Sequence, residues 1–408
     1  MRTRDLVIIL SAKALRTFGF GYISVITALF LSECGLSSVQ IGSIFTATLI
    51  EDAVLTTALS IAAGRFGSRR LLMLAPLMIV LAGLVMGSSQ DTRLLAVAAV
   101  FGIISPSGQE GGPFSALEQA LLPGFVKAGD LTRAFSWYNL AGFFPAALGA
   151  LVAGMWLGGS SKIGLSSLQS YRALFLLYAF SGLVLSFLYA SLKQGPGSES
   201  SPPSQQSAPR GRLQTRLGLH RSTRYVFELA ALYSIDSFAG GFIVQSLIAY
   251  WFHLRYHIGA EVLGPLFCAT NFFATLSFLA APYIAARAGL LRTMVLTHLP
   301  CSLSLCLVPL MPSFSLAAAV LLLRSLFSSM DVPTRQAYAM TLVDPDERSA
   351  AAGITMGARS ISQGMAPLFS GLAMSNAATG MPFYIAGILK SVYDLSIYFR
   401  FRKIPLKM

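Results

Sequence analysis

The chain has 408 residues, 54% of them hydrophobic and only 12% charged, with a net charge of +13 at pH 7. Soluble domains carry about 25% charged residues, so half that density leaves too little polar surface to wet a protein of this size and excludes a water-soluble globule. The apolar fraction likewise excludes a disordered chain, and the 36 glycines follow no triplet period, which excludes a collagen-like one.

A hydrocarbon layer about 30 Å thick calls for about 20 mostly apolar residues per helix. Continuous apolar runs predict twelve spans, at residues 5–32, 38–63, 70–89, 94–122, 132–158, 171–192, 224–252, 261–286, 292–311, 314–340, 350–375 and 380–401. Membrane β-barrel strands alternate over about 10 residues instead. The first run is too long for a cleavable leader and lacks a small-residue cleavage pattern, so it reads as a retained span. Turn chemistry separates the runs, as in Gly64-Arg65-Phe66-Gly67, Met311-Pro312-Ser313 and Asp344-Pro345-Asp346-Glu347. With the N-terminus in the cytoplasm, 21 Lys and Arg fall in inner segments and 4 in outer ones; the other five, Lys13, Arg16, Arg324, Arg359 and Lys390, lie within spans. The positive-inside rule then puts both termini in the cytoplasm and explains the basic pI without nucleic acid.

Residues 193–223 have the composition of a flexible linker and divide the chain into bundles at 1–192 and 224–408. Within the linker, the basic stretch from Arg210 to Arg224 either lies on the anionic inner leaflet or is a solvated loop. Cys34, Cys268, Cys301 and Cys306 have no metal-ligand or CxxC spacing and read as small apolar residues; no metal or other cofactor is expected.

The two bundles repeat one another. Phe18, Gly21, Tyr22 and Ile23 match Phe238, Gly241, Phe242 and Ile243 at a shift of 220 residues, and Glu118-Gln119-Ala120 matches Arg335-Gln336-Ala337 at 217. Parallel six-helix repeats imply a pseudo-two-fold axis along the membrane normal, with a pathway between the halves. This organisation, together with the basic turn Gly64-Arg65-Phe66-Gly67-Ser68-Arg69-Arg70, resembles the major facilitator superfamily over essentially the whole chain. The resemblance implies an all-α membrane protein of two pseudo-symmetric six-helix bundles that is a transporter and not an enzyme. It places Arg65, Arg69 and Arg70 at a cytoplasmic gate, although the family's acidic position is Gly64 here and Ala286 in the second copy. Asp130 with Arg133, and Glu347 with Arg348, stand at the matching inner ends of the fifth and eleventh helices and are candidates for that role. Pro145 and Gly149, echoed by Pro367 and Gly371, resemble part of a motif of drug/proton antiporters; the alternative is ordinary small-residue packing.

Charges inside a bilayer cost roughly 2.5–3.5 kcal/mol each on insertion scales, so they face partners or water. Arg16 and Asp236 occupy equivalent depths in the first and seventh helices and are read either as a pathway pair or as a static ion pair. The helix-breaking stretch Ser105 to Pro113 brings Gln109 and Glu110 to the membrane centre as substrate or proton ligands. Glu51, Asp52 and Arg324 join the pathway set. Glu118, Asp331 and Arg335 are candidates for salt bridges between bundles. Lys390 and Asp394, four apart on the last helix, are read as pairing with each other.

These readings converge on a secondary transporter of the plasma (inner) membrane that exports a small organic or drug-like solute against protons, acting as a monomer in the lipid bilayer. The alternatives are a proton-coupled symporter of an organic anion and a non-transporting membrane receptor.

Overall fold

A computed structural model describes residues 3–108, 112–122, 125, 131–192, 222–343, 347–375 and 380–402. The basic linker stretch, Gln109, Glu110 and Asp130 lie outside the described residues, as do the side chains of Arg65, Arg133 and Arg348.

All twelve predicted segments are helical. In chain order they are α1 (Thr3–Glu33), α2 (Ser38–Phe66), α3 (Ser68–Leu74 continued by Pro76–Ser88), α4a (Thr92–Phe101) and α4b (Pro113–Leu121), α5 (Leu131–Lys162) and α6 (Ser167–Ala190). The second half comprises α7a (Thr223–Gly241) and α7b (Gln245–Tyr256), α8 (Ala260–Ala288), α9 (Leu290–Leu307), α10a (Phe314–Ser325) and α10b (Asp331–Leu342), α11 (Arg348–Ala373) and α12 (Met381–Phe401). Among the described residues, six helices are by themselves long and apolar enough to cross a membrane, or seven if α7a and α7b form one span. α4 and α10 fall short because each is interrupted near its middle. In α4 the break begins at Gly102, includes Pro106, and leaves Gly108 and Gly112 at positive φ, a conformation that favours glycine.

Helix starts follow local chemistry. Ser37 and Ser166 each accept a backbone bond from the Gln three residues on, and that Gln bonds back, closing capping boxes on α2 and α6. The large exposed side chains are lipid-type apolar ones, such as Leu81, Met155, Phe180, Phe187 and Leu296. Buried faces hold aromatics and small residues.

By packing, the chain divides into two units, Met1–Ser204 with Val244–Asn271, and Gln205–Ile243 with Phe272–Met408. α7b and the start of α8 thus pack with the first six helices. Glycine makes this possible: a Cβ on Gly264 of α8 would lie 2.4 Å from the Ala150 carbonyl and 2.7 Å from Gly154 Cα of α5. α1 crosses α5 equally closely, since a Cβ on Gly21 would meet the Ala146 carbonyl at 2.0 Å and one on Gly149 the Phe18 carbonyl at 2.0 Å. In the second unit Gly241 presses on the Gln363 carbonyl and Ala366 of α11. Gly241 lies 220 residues after Gly21 and Ala366 lies 220 after Ala146, so the helix crossing repeats in the register of the sequence.

Candidate functional site

In the first unit Arg16 and Glu118 form a buried ion pair. Arg16 of α1 grips Glu118 of α4b with two parallel bonds, Nη1 to Oε1 at 3.0 Å and Nη2 to Oε2 at 2.8 Å, and both side chains are fully buried. Tyr138 of α5 donates to Oε2 at 2.7 Å, and Tyr189 of α6 donates to Oε1. Phe114 lies under the guanidinium at 4.6 Å and stacks on Tyr189. Four helices therefore converge on one carboxylate, whose lone pairs are filled by a charged fork and two phenols, the arrangement that a buried pair needs to offset its desolvation.

The second unit holds an extended network. Asp236 of α7a accepts from Arg335 of α10b at 2.8 Å through Oδ2 and from Lys390 of α12 at 2.6 Å through Oδ1. Arg335 also reaches Asp331 at 3.1 Å, one turn before it. His298 of α9 stands 3.6 Å from Asp236 through Nε2 and pairs with Asp394 at 2.7 Å through Nδ1, while Ser302 donates to the other Asp394 oxygen at 3.1 Å. Tyr393 packs edge-on against the His298 ring. Every one of these ionisable side chains is buried.

The two sites occupy corresponding places, because Arg16 and Asp236 match at a shift of 220, and Glu118 and Arg335 at 217. The pairing runs within each repeat, from first to fourth helix and from seventh to tenth, with the charges exchanged. This corrects the sequence reading, which joined equivalent positions across repeats: Arg16 finds Glu118 and Asp236 finds Arg335, each inside its own unit. Glu118 and Arg335 are committed there too, as is Asp331. Lys390 does not pair with Asp394; it reaches Asp236, and Asp394 takes His298 instead. His298 carries no spacing signal in the sequence, being a lone histidine in an apolar run, although its partner Asp394 stands out there beside Lys390 four residues away.

Other predicted residues are dispersed. Glu51 and Asp52 on α2 are partly buried, and Asp52 faces the α4 break, where a Cβ on Gly112 would stand 2.3 Å from its Oδ1. Arg324 on α10a is partly buried, with no hydrogen bond or ion pair to a described residue. At the inner ends, Arg69 donates to the Ala190 carbonyl at 2.7 Å, Arg70 is exposed, and buried Glu347 accepts from the Ser222 amide at 2.9 Å. A polar cluster unmarked by any charge joins the breaks of α4 and α7. Gln245 donates to Ser24 at 2.8 Å and accepts from Asn271 at 3.2 Å, and the Ser246 amide donates to the Pro106 carbonyl at 3.0 Å.

Asp236, His298 and Asp331 each bring one ligand atom within 4.8 Å of the others, close enough to hold a cation. Arg335 and Lys390 already occupy the carboxylates, and their two positive charges oppose a metal ion there.

The Major Facilitator Superfamily model matches residues 9–367. The chain belongs to the Major Facilitator Superfamily. An uncharacterized membrane protein of Saccharomyces cerevisiae is 26% identical over 430 aligned residues, covering all of this chain and 96% of the relative. The crystal structure of the nucleoside transporter NupG superposes with a TM-score of 0.74 at 13% identity, covering 98% of this chain and all of that one. The D-xylose–proton symporter superposes with a TM-score of 0.73 at 13% identity, covering 100% and 99%. A bacterial homologue of the human lysosomal transporter Spinster does so at 0.70 and 14%, covering 98% and 96%. At these identities the structures establish the fold. This superfamily chain is therefore a secondary transporter and an integral membrane protein, with the all-α, twelve-helix fold that the sequence reading expected.

Proposed function

We propose that the chain is a proton-coupled transporter of a small organic solute, with the proton carried on the His298–Asp394 element of the second unit. One observation supports this reading above the others: in the contact network three carboxylates, Asp236, Asp331 and Asp394, meet only two permanent cations, Arg335 and Lys390. A single proton on His298 balances the count, and histidine is the side chain suited to gain and lose it near neutral pH. The Arg16–Glu118 pair is already balanced and is assigned a structural role. No nucleotide-binding Walker loop appears in the sequence to supply another energy source.

The proposed location is the plasma (inner) membrane with cytoplasmic termini, the functional unit is a monomer, and the solute and protons are its partners. Efflux by proton antiport was suggested by Pro145 and Gly149. Gly149, however, is the contact point of α5 with α1, so its chemistry serves packing and the direction is left to measurement. The full-length protein is reconstituted with the pH dye pyranine inside, and nucleosides and D-xylose head the solute panel because the structural relatives are named for them. A solute that moves protons in wild type, and ceases to do so in Asp394→Asn and His298→Gln, supports the reading; the direction of the pH change distinguishes import from export. Unaltered proton movement in both variants refutes it.

A further inference from the structure

We infer that residues 102–108 of α4 form a two-state hinge, unwound while α7b is docked on the first unit and wound into helix when α7b leaves it. The inference is independent of the solute and of the proton site. Ile103 is the first observation. Among the described residues, Ile103 and His257 take positive φ without being glycine, at 52° and 55°, and they end α4a and α7b. Glycine or asparagine is usual at such helix ends, and a β-branched side chain is the least suited to the left-handed region. A backbone in that conformation persists only where its surroundings fix it.

The groups that fix it belong to other helices of the same unit. Buried Tyr178 of α6 donates to the Ile103 carbonyl at 2.9 Å. The Ser246 amide, in the first turn of α7b, donates to the Pro106 carbonyl at 3.0 Å. Through Oγ, Ser246 also donates to the Ser24 carbonyl of α1 at 2.6 Å, which pins that turn. Gly108 closes the segment at φ 69°, packed so closely that a Cβ there would lie 2.6 Å from Ser24 Oγ.

The bond from Ser246 to Pro106 is the second observation. A helix start has amides without helical partners and an interrupted helix has carbonyls without them, and one of each meets here. When α7b departs, both lose their partner, and an unpaired backbone group in an apolar interior is costly. Winding the segment satisfies the α4 side. The Ile103 carbonyl then takes the Ser107 amide, the Pro106 carbonyl takes the amide four residues on, and Ile103 returns to the right-handed region. Pro106 bends such a helix without forbidding it, because only the Gly102 carbonyl is left without a helical donor. The broken form thus depends on α7b and the wound form does not, so each element biases the other. α4b, which carries Glu118, follows the segment in the chain, so the state of α7b is passed toward the Arg16–Glu118 pair.

The test is thiol labelling of purified full-length protein that carries Ala249→Cys, a buried position on α7b, read as the mass added beyond the same chain without that reporter. With a slow reagent the rate follows the fraction of time α7b is undocked. Ile103→Gly removes the left-handed penalty and weakens the wound helix, so labelling slows about five- to thirtyfold. Tyr178→Phe keeps the ring but removes the donor that holds Ile103, so labelling quickens about fivefold. Opposite responses of these two variants are the expected result. Faster labelling in both, the response of an α4 merely loosened, overturns the inference, as does a rate indifferent to both. Should Ile103→Gly not fold, Ile103→Asn, which also accepts the left-handed region, takes its place with the same expected direction.

Discussion

Removing one partner of the Arg16–Glu118 pair is more harmful than removing both. Glu118→Gln leaves the Arg16 guanidinium fully buried against Phe114 with a neutral amide in place of its carboxylate. Breaking a buried pair in this way costs about 3–5 kcal/mol, whereas replacing both members by apolar groups of similar size is often neutral. Arg16→Met strands the carboxylate instead, and the Tyr138 and Tyr189 hydroxyls that still donate to it offset part of the loss, so this variant falls at the lower end of that range. The double variant Arg16→Met/Glu118→Gln removes both charges and closes the cycle, leaving a neutral amide and two phenol hydroxyls to share the remaining bonds, at about 1–3 kcal/mol for the unsatisfied groups. Fluorescence-monitored denaturant titration of all four proteins in one detergent measures the cycle. The double variant is expected to be more stable than Glu118→Gln; additive losses would show that the two charges do not depend on each other and would refute the reasoning.

Gly21→Ala drives a methyl into the Ala146 carbonyl and forces α1 off α5, with an expected loss of about 1–3 kcal/mol; an unchanged melting temperature would show that this crossing is loose. Gly264→Val does the same between α8 and α5, and is expected to raise thiol labelling of a cysteine placed at Ser24, read by mass shift. Gln245→Leu removes the bonds that link Gln245 to Ser24 and to Asn271, an expected loss of about 1–3 kcal/mol for the two together; Gln245→Glu, which retains an acceptor for Asn271, is milder at low pH by the same titration.

Twelve segments, the interruption of α4 and the repeat were all legible, because span length, helix breakers and a constant shift are one-dimensional signals. The charges buried in the helices, such as Arg16, Glu118, Asp236 and Arg335, were visible as charges as well, since an ionised residue in an apolar run stands out. Their partners were not. Glu118 lies 102 residues from Arg16, Arg335 lies 99 from Asp236, and nothing local distinguishes a match within a repeat from one across it. Lys390 and Asp394 illustrate the same failure at short range: helical spacing permits their pairing, but the neighbouring α7a and α9 offer Asp236 and His298 as better partners. Gln245, Ser24 and Asn271 escaped for another reason, as uncharged polar residues are common in membrane helices and acquire meaning only from the breaks they bridge.

The exchanged signs of the two ion pairs constrain how one half can have diverged from the other. If both descend from a duplicated six-helix ancestor, no path of single charge-altering steps converts one polarity to the other without passing through a protein with a stranded ion. A chain engineered to carry the first half's arrangement in both would have to change positions 236 and 335 together, along with Lys390, whose contact with the Asp236 carboxylate would disappear.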